Sequence, residues 1–201
     1  MKKILTFVIL PLIIAALGYI IYKSVQEPVV FEKQRKMREK VCIDRLKDIR
    51  TLQVAYKSKY DTFTQYMDTL IDFYNEDLIT IVRQVGSYDD SAAVAEGRVY
   101  RDSLEIPVRD TLLKKPNFVI DSIAFVPFSG GDSITLNAVI AKVSGVDVPL
   151  FEAYALYDQL LKGLDRQLIV NLKASREDMG RFPGLRVGSI DAPNNNAGNW
   201  E

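Results

Sequence analysis

Between Lys3 and Lys23 the chain carries no charge. The run Ile4–Tyr22 is 19 residues long, and as a helix it would measure about 28 Å, the hydrocarbon thickness of a bilayer. Lys2 and Lys3 precede it, Lys23 closes it, and Tyr19 and Tyr22 stand where interfacial aromatics gather. Pro11 and Gly18 are tolerable inside such a span. A cleaved signal peptide would share the basic start and the small-residue stretch Ala16-Leu17-Gly18. The run continues past that stretch through Tyr22, beyond the usual length of a signal core, so residues 1–23 read as a retained transmembrane anchor. A buried helix of a soluble protein is the third alternative.

Orientation draws on two opposed arguments. Lys23, Lys33, Arg35, Lys36, Arg38 and Lys40 follow the run, against Lys2 and Lys3 before it. A bare count would put the following domain in the cytoplasm. A three-residue leader and a first apolar helix are how a signal anchor begins, however, and long domains translocate largely regardless of charge. The favoured reading is a single-pass protein of the inner (cytoplasmic) membrane, N-terminus inside and domain extracytoplasmic or periplasmic.

After the anchor, Pro28 suits the first turn of a new helix. Residues 24–41 then read as a polar stalk, in which Glu32–Lys40 is polar all round except Met37. From Cys42 the pattern changes. Cys42, Leu46, Ile49, Leu52, Tyr56 and Tyr60 recur at steps of three and four, one face of a helix, with Asp44, Lys47, Arg50 and Lys57 opposite. The stripe is too short for a long coiled coil. It is expected to be the floor on which a domain of residues 42–190 packs.

An apolar helix that runs into an amphipathic one, followed by KDIRTLQVAYKSKYDTF (Lys47–Phe63) and a small sheet domain, resembles the layout of type IV pilins and type II secretion pseudopilins. The matching part is Asp48–Phe63, where those families carry a helix end reading roughly I..L..A...Y....G.YP. The resemblance implies a structural or assembly role in a membrane apparatus. The chain departs from the pattern in two places: no acidic residue occurs before Glu27, so there is no prepilin cleavage motif, and Tyr60-Asp61-Thr62-Phe63 stands where Gly-Tyr-Pro is usual.

Composition excludes more than it assigns. With 26 basic and 26 acidic residues the net charge is zero, so nothing implies a nucleic-acid partner. The chain has no histidine, which removes Ser-His-Asp and Cys-His nucleophiles and histidine metal sites. A single cysteine, Cys42, rules out an intrachain disulfide and CxxC chemistry. Asn-x-Ser/Thr sequons are absent, and the whole fits a bacterial envelope protein.

In the domain, Thr64–Asn75 reads as a helix capped by Thr64, with Asp68, Asp72, Glu76 and Asp77 as a solvated edge. Leu78–Val85 is β-rich, Gly86–Ser91 is a polar break, and Ala92–Glu96 suggests a helical turn. Arg98–Ser103 and Leu104–Val108 read as two short strands, the second interrupted by Pro107. Asp89-Asp90-Ser91 lacks the flanks of a calcium loop, and Gly130-Gly131 lacks the lysine of a P-loop. Val119–Phe128 and Ser133–Val143 are expected to form a hairpin around Ser129–Asp132. Val146–Pro149 adds a third strand.

Leu150–Lys162 reads as a second firm helix, striped by Ala153, Tyr157, Leu160 and Leu164 and stopped at Gly163. Arg166–Leu172 is read as a strand, and Leu185–Ile190 as the last strand. Residues 191–201 form a polar tail that carries Trp200, the only tryptophan, which is expected to dock in a groove of its own domain or of a neighbour.

These elements compose an α+β chain: a transmembrane helix that continues as a long amphipathic helix, then a small, mainly antiparallel sheet with two further helices. The function expected is a non-catalytic envelope protein in contact with the bilayer and with protein partners or further copies of itself. An extracytoplasmic ligand- or cell-wall-binding module is the alternative, and a carboxylate-based hydrolase is a third class. The candidate packing or interaction residues are Cys42, Leu46, Ile49, Leu52, Tyr56 and Trp200. No cofactor and no metal is expected.

Overall fold

In the computed structural model the apolar run and the amphipathic stripe belong to one helix. The structure describes residues 10–85, 99–116 and 118–201, together with 89 and 95. Helix α1, Leu10–Tyr60, is 51 residues long, about 77 Å at 1.5 Å per residue. Pro28 does not restart it. It lies inside the helix on an exposed turn, and the loss of one donor is carried by the turns on either side. Among the described residues α1 is the one helix long and apolar enough to cross a membrane, and it lies near the N-terminus.

From residue 12 to Val30 every side chain of α1 is exposed. Phe31 is the first to pack against the domain. Cys42, Leu46, Ile49 and Leu52 are then wholly buried, each of the three larger side chains worth about 1.5–3 kcal/mol of burial. Asp48 and Gln53 are buried beside them, and the Gln53 amide donates to Thr64 O at 2.6 Å while accepting from Thr64 N at 3.2 Å. That pair fixes the turn by which the chain leaves α1.

Helix α2, Met67–Glu76, follows. Thr64 is not its cap: the cap position is Tyr66, and the Thr64 hydroxyl instead accepts from Tyr66 N at 3.1 Å. Strands β1, Leu78–Val85, and β2, Tyr100–Pro107, pair antiparallel over their whole length, Leu78 opposite Pro107 and Val85 opposite Tyr100. The two strands expected between Arg98 and Val108 are therefore one, with Pro107 at its end. The break at Gly86–Ser91 and the turn at Ala92–Glu96 lie outside the described residues except at 89 and 95. A single turn, α3 (Val108–Thr111), brings the chain back to α2.

The segment expected as the first hairpin strand contains a 3-10 turn, Ile120–Ala124, and pairs with the chain before Thr135 as the isolated Phe125–Ser133 bridge. The hairpin lies further on: β3, Thr135–Val143, pairs with β4, Val146–Leu156. The residues between them, Ser144 and Gly145, have φ of 52° and 86°, the left-handed pair that a two-residue hairpin turn needs. β4 occupies much of what read as a helix, and only the turn α4, Tyr157–Leu160, is helical there. Arg166–Leu172 is likewise not a strand but the start of helix α5, Arg166–Asp178, capped by Asp165, which accepts from Leu168 N at 2.9 Å.

Strand β5, Gly184–Gly188, completes the antiparallel order β3-β4-β5. The glycines at its ends permit close approach to β4: a Cβ on Gly184 would lie 2.3 Å from Ala155 O, and one on Gly188 2.2 Å from Phe151 O. The chain is α+β, with a long N-terminal helix, a small three-stranded antiparallel sheet, a separate two-stranded ribbon, and several helices rather than two beyond α1.

Candidate functional site: the junction of helix and domain

The side chains that fasten α1 to the domain sit at helical spacing, so a single face presents them. Polar groups come first. Arg35 donates to Glu32 at 2.8 and 2.5 Å and to Glu39 at 3.2 Å. The buried Tyr157 hydroxyl donates to the same Glu39 oxygen at 2.9 Å. Arg38 donates to the carbonyls of Leu160 (3.1 Å) and Lys162 (2.9 Å) and lies over the Phe128 ring at 5.1 Å. The stretch Glu32–Lys40, read as polar stalk, thus contributes Arg38 and Glu39 to the junction, with Arg35 holding Glu39 from within the helix.

The titration behaviour follows the packing. The hydrogen bond from Arg35 holds the Glu32 carboxyl below the usual range, and burial together with the Glu39 carboxylate pushes the Tyr157 phenol well up. Burial pushes the Cys42 thiol up to about 12. A thiol in that state is neither a nucleophile nor a ligand at neutral pH. Asp48 is raised by burial even though Lys115 donates to it at 2.5 and 2.7 Å.

Of the residues singled out from sequence, Cys42, Leu46, Ile49 and Leu52 share this face, and Tyr56 continues it half-buried, edge-on to Phe73 at 5.3 Å. Trp200 lies apart from that line but packs against the same core. Its indole N–H is buried without a partner among the described residues, and its ring covers Gly198, where a Cβ would come within 2.3 Å of it. The segment around it runs along the free edge of β5. Gly188 N donates to Ala197 O (3.0 Å), Asn199 N to Arg186 O (2.9 Å), and the Asn199 amide to Gly184 O (2.9 Å). Arg50 ties the same segment to α1 through Asn196 O at 3.3 Å and Glu201 at 2.7 Å.

No family model, no curated protein and no solved structure matches this chain.

One further polar cluster lies at the far end of α1. Lys59 and Tyr60 both donate to Asp77, at 2.9 and 2.7 Å, in a cleft of about 630 Å³ that Glu76 and Glu105 also line. Burial and the two donors act oppositely on the Asp77 carboxyl, and the donors hold it below its ordinary value. Among the described residues no group of three or more His, Cys, Asp or Glu side chains is placed to hold a metal ion. Asp68, Asp72 and Glu76 are exposed, and of the Asp89-Asp90-Ser91 trio only Asp89 is described. Sequence reasoning did not find Arg35, Arg38, Glu39 or Tyr157. The partners of Arg38, Glu39 and Tyr157 are 118 or more residues away, and no local pattern carries that information; Arg35 pairs within the helix, three and four residues off.

Proposed function

We propose that this protein is a single-pass, non-catalytic envelope protein, with its N-terminus in the cytoplasm and its domain outside, that serves as a structural or assembly component of a membrane-associated apparatus of pilus-like or secretion type. One observation carries the reading. The same uninterrupted helix is apolar from Leu10 to Tyr22, stays exposed as far as Val30, and forms the floor of the domain's core over its last twenty residues. An exposed helix of that composition calls for lipid or for like helices around it, and rigid continuity with a folded domain is what an assembling subunit requires. The bacterial setting and the apparatus itself rest on composition and on the layout described above.

The test is in-cell photocrosslinking from Val29 and Val54, exposed positions of α1, followed by detergent purification. Crosslinks to membrane proteins or to further copies of the chain are expected. A monomer that crosslinks to nothing and leaves the membrane with a small molecule at the Lys59–Asp77 cleft would favour the binding-module reading. A membrane-impermeant maleimide directed at a cysteine placed at Asn195, with Cys42 removed, tests orientation: labelling is expected in cells whose outer membrane alone is permeabilised.

A further inference from the structure

The three-stranded sheet has two outer edges, and the chain covers them unequally. Along β5 its own last residues lie hydrogen-bonded. Along β3 a covering segment reaches only as far as Ile134. There Ile134 N donates to Ala124 O at 2.8 Å and Val126 N to Asp132 O at 2.7 Å. Even-numbered residues therefore turn their N–H and C=O away from β4. The two-residue turn at Ser144 and Gly145 sets the same parity from the other end, since it makes Val143 and Val146 a hydrogen-bonded pair. Beyond Ile134 nothing takes up that outer row: among the described residues no backbone bond reaches Leu136, Ala138, Ile140 or Lys142 from that side.

Such a row is a template for a further strand. β3 runs without proline or bulge, and Val139 and Ile140 stand 40% and 66% exposed. By alternation Ile140 shares the face of Leu136 and Ala138, which pack on the core. Next to Ala138 that face opens into a groove of about 440 Å³, lined also by Phe63, Tyr66 and Thr69. Lys142 is exposed and is the one charged residue of the strand. Asp147 stands opposite it on β4, yet among the described residues Lys142 closes no ion pair. An incoming strand thus meets backbone along its length, a groove at Ala138 and a cation at the hairpin end.

We propose that the β3 edge takes up an extended segment of a different protein as the sheet's fourth strand. That segment is apolar at the alternate positions facing the groove and acidic where it meets Lys142. Symmetry tells against a second copy. Two like edges paired antiparallel are related by a two-fold axis normal to the sheet. α1 packs on the sheet through β4 and β5 and lies along its plane. That axis would reverse α1, and two anchors in one bilayer cannot point opposite ways. The choice of partner rests to that extent on the reading of α1 as a membrane anchor; the bare edge does not.

The probe is the fluorescently labelled peptide Asp-Thr-Val-Thr-Ile-Thr-Val, offered to the full chain in mild detergent. Laid antiparallel, it sets its Asp against Lys142 and its Ile at the groove beside Ala138, and its odd-numbered amides face β3. Saturable binding is expected. Methylation of the third and fifth amides is expected to weaken it about tenfold or more, the scale of one or two lost hydrogen bonds. Methylation of the fourth and sixth is expected to leave it unchanged. Replacing the peptide's Asp with Lys is expected to weaken binding about two- to fivefold, the scale of an exposed charge contact. No binding, or a loss that does not alternate along the peptide, overturns the proposal.

The protein side is read with Ile140→Pro, which deletes an outward N–H that β4 does not use, and with Ile140→Lys, which leaves the backbone intact. Both are expected to lose the peptide while Ile140→Lys keeps the parent's melting curve. Amide exchange gives an independent reading. In the chain alone Ala138 and Ile140 are expected to exchange fast and Val139 and Ala141 slowly, with the peptide slowing the first pair. Protection of both pairs in the chain alone overturns the proposal, and a dimer in native mass spectrometry would then make a second copy the occupant. Sedimentation of the full chain with membranes tests the anchor separately, so the two failures are distinct.

Discussion

Arg50 and Glu201 stand 151 residues apart in the chain and 2.7 Å apart in space. Their ion pair joins the domain end of the long helix to the segment that lines the edge of β5, so the sheet edge and the helix are held by one short stretch of chain. Trp200 lies between these fastenings. Its emission is expected to be blue-shifted in the folded protein and to redden on unfolding, in step with loss of secondary structure. Gly198→Ala places a methyl group in the indole and is expected to cost about 1–2 kcal/mol and to redden the native spectrum. A variant with unchanged emission and midpoint in urea would show that the ring is not seated on Gly198.

Two other glycines separate close approach from backbone conformation. Gly188 has both a left-handed φ of 73° and a backbone oxygen 2.2 Å from any added Cβ, whereas Gly145 has φ of 86° with open space around it. Gly145→Ala is expected to cost about 1 kcal/mol and Gly188→Ala about 3 kcal/mol or more. Urea titration of the two variants side by side gives the comparison, and equal losses would refute the role given to the β4–β5 approach.

Shortening α1 should act in steps. Removal of residues 1–27 leaves every buried side chain of the helix in place and is expected to yield a soluble domain that melts cooperatively. Removal to residue 41 also takes Arg35, Arg38 and Glu39, leaving the buried Tyr157 hydroxyl without its acceptor, and is expected to lower the midpoint clearly. Removal to residue 60 takes the core stripe itself, and aggregation is the expected result. Equal melting curves for the first two would mean that the polar junction contributes nothing.

Cys42 provides a reporter that needs no mutation. It is fully buried, and its thiol is pushed up to about 12. Alkylation by a small maleimide at neutral pH is expected to be negligible in the folded protein and complete in urea, so the labelling rate measures opening of the α1 face. Fast labelling under native conditions would show that the face is not closed.

Asp48 gives a pH dependence of definite sign. Burial raises its folded value above the unfolded one, so its favourable contribution is complete below the unfolded value, near pH 4, and is lost as pH rises through the folded value. Asp48→Asn, which lacks this titration, is expected to gain stability relative to the parent as pH rises through the folded value of Asp48, a gain that the half-exposed Lys115 pair reduces. A relative loss over that rise in pH would mean that the Lys115 pair outweighs burial.

The long helix was legible because two signals agree along it: a charge-free run, and then apolar residues at three- and four-residue steps. The sheet was harder to read. Leu150–Ala153 is buried on both faces of β4, Glu152 included through its pair with Arg186 at 3.0 Å, so burial there has no period of two to betray a strand, and Ala153, Tyr157, Leu160 and Leu164 passed for a helical stripe. Helix α5 failed in the opposite way. It buries only Ile169 and so shows almost no apolar face, although Asp165 before it was an available capping signal. The junction was not legible at all, since Glu39 and Arg38 look like solvated stalk until Tyr157 and the Leu160–Lys162 carbonyls are folded onto them.

Between Lys23 and Tyr60, α1 is a single unbroken helix that takes in Pro28. With its apolar end in a bilayer, as proposed, those 37 residues behave as a lever about 56 Å long. An ordinary span tilt of about 20° would swing the far end about 19 Å sideways. Small rotations within the membrane would thereby steer the Lys59–Asp77 cleft and the β1–β2 ribbon through a wide arc, turning span angle into the attitude of everything the domain presents.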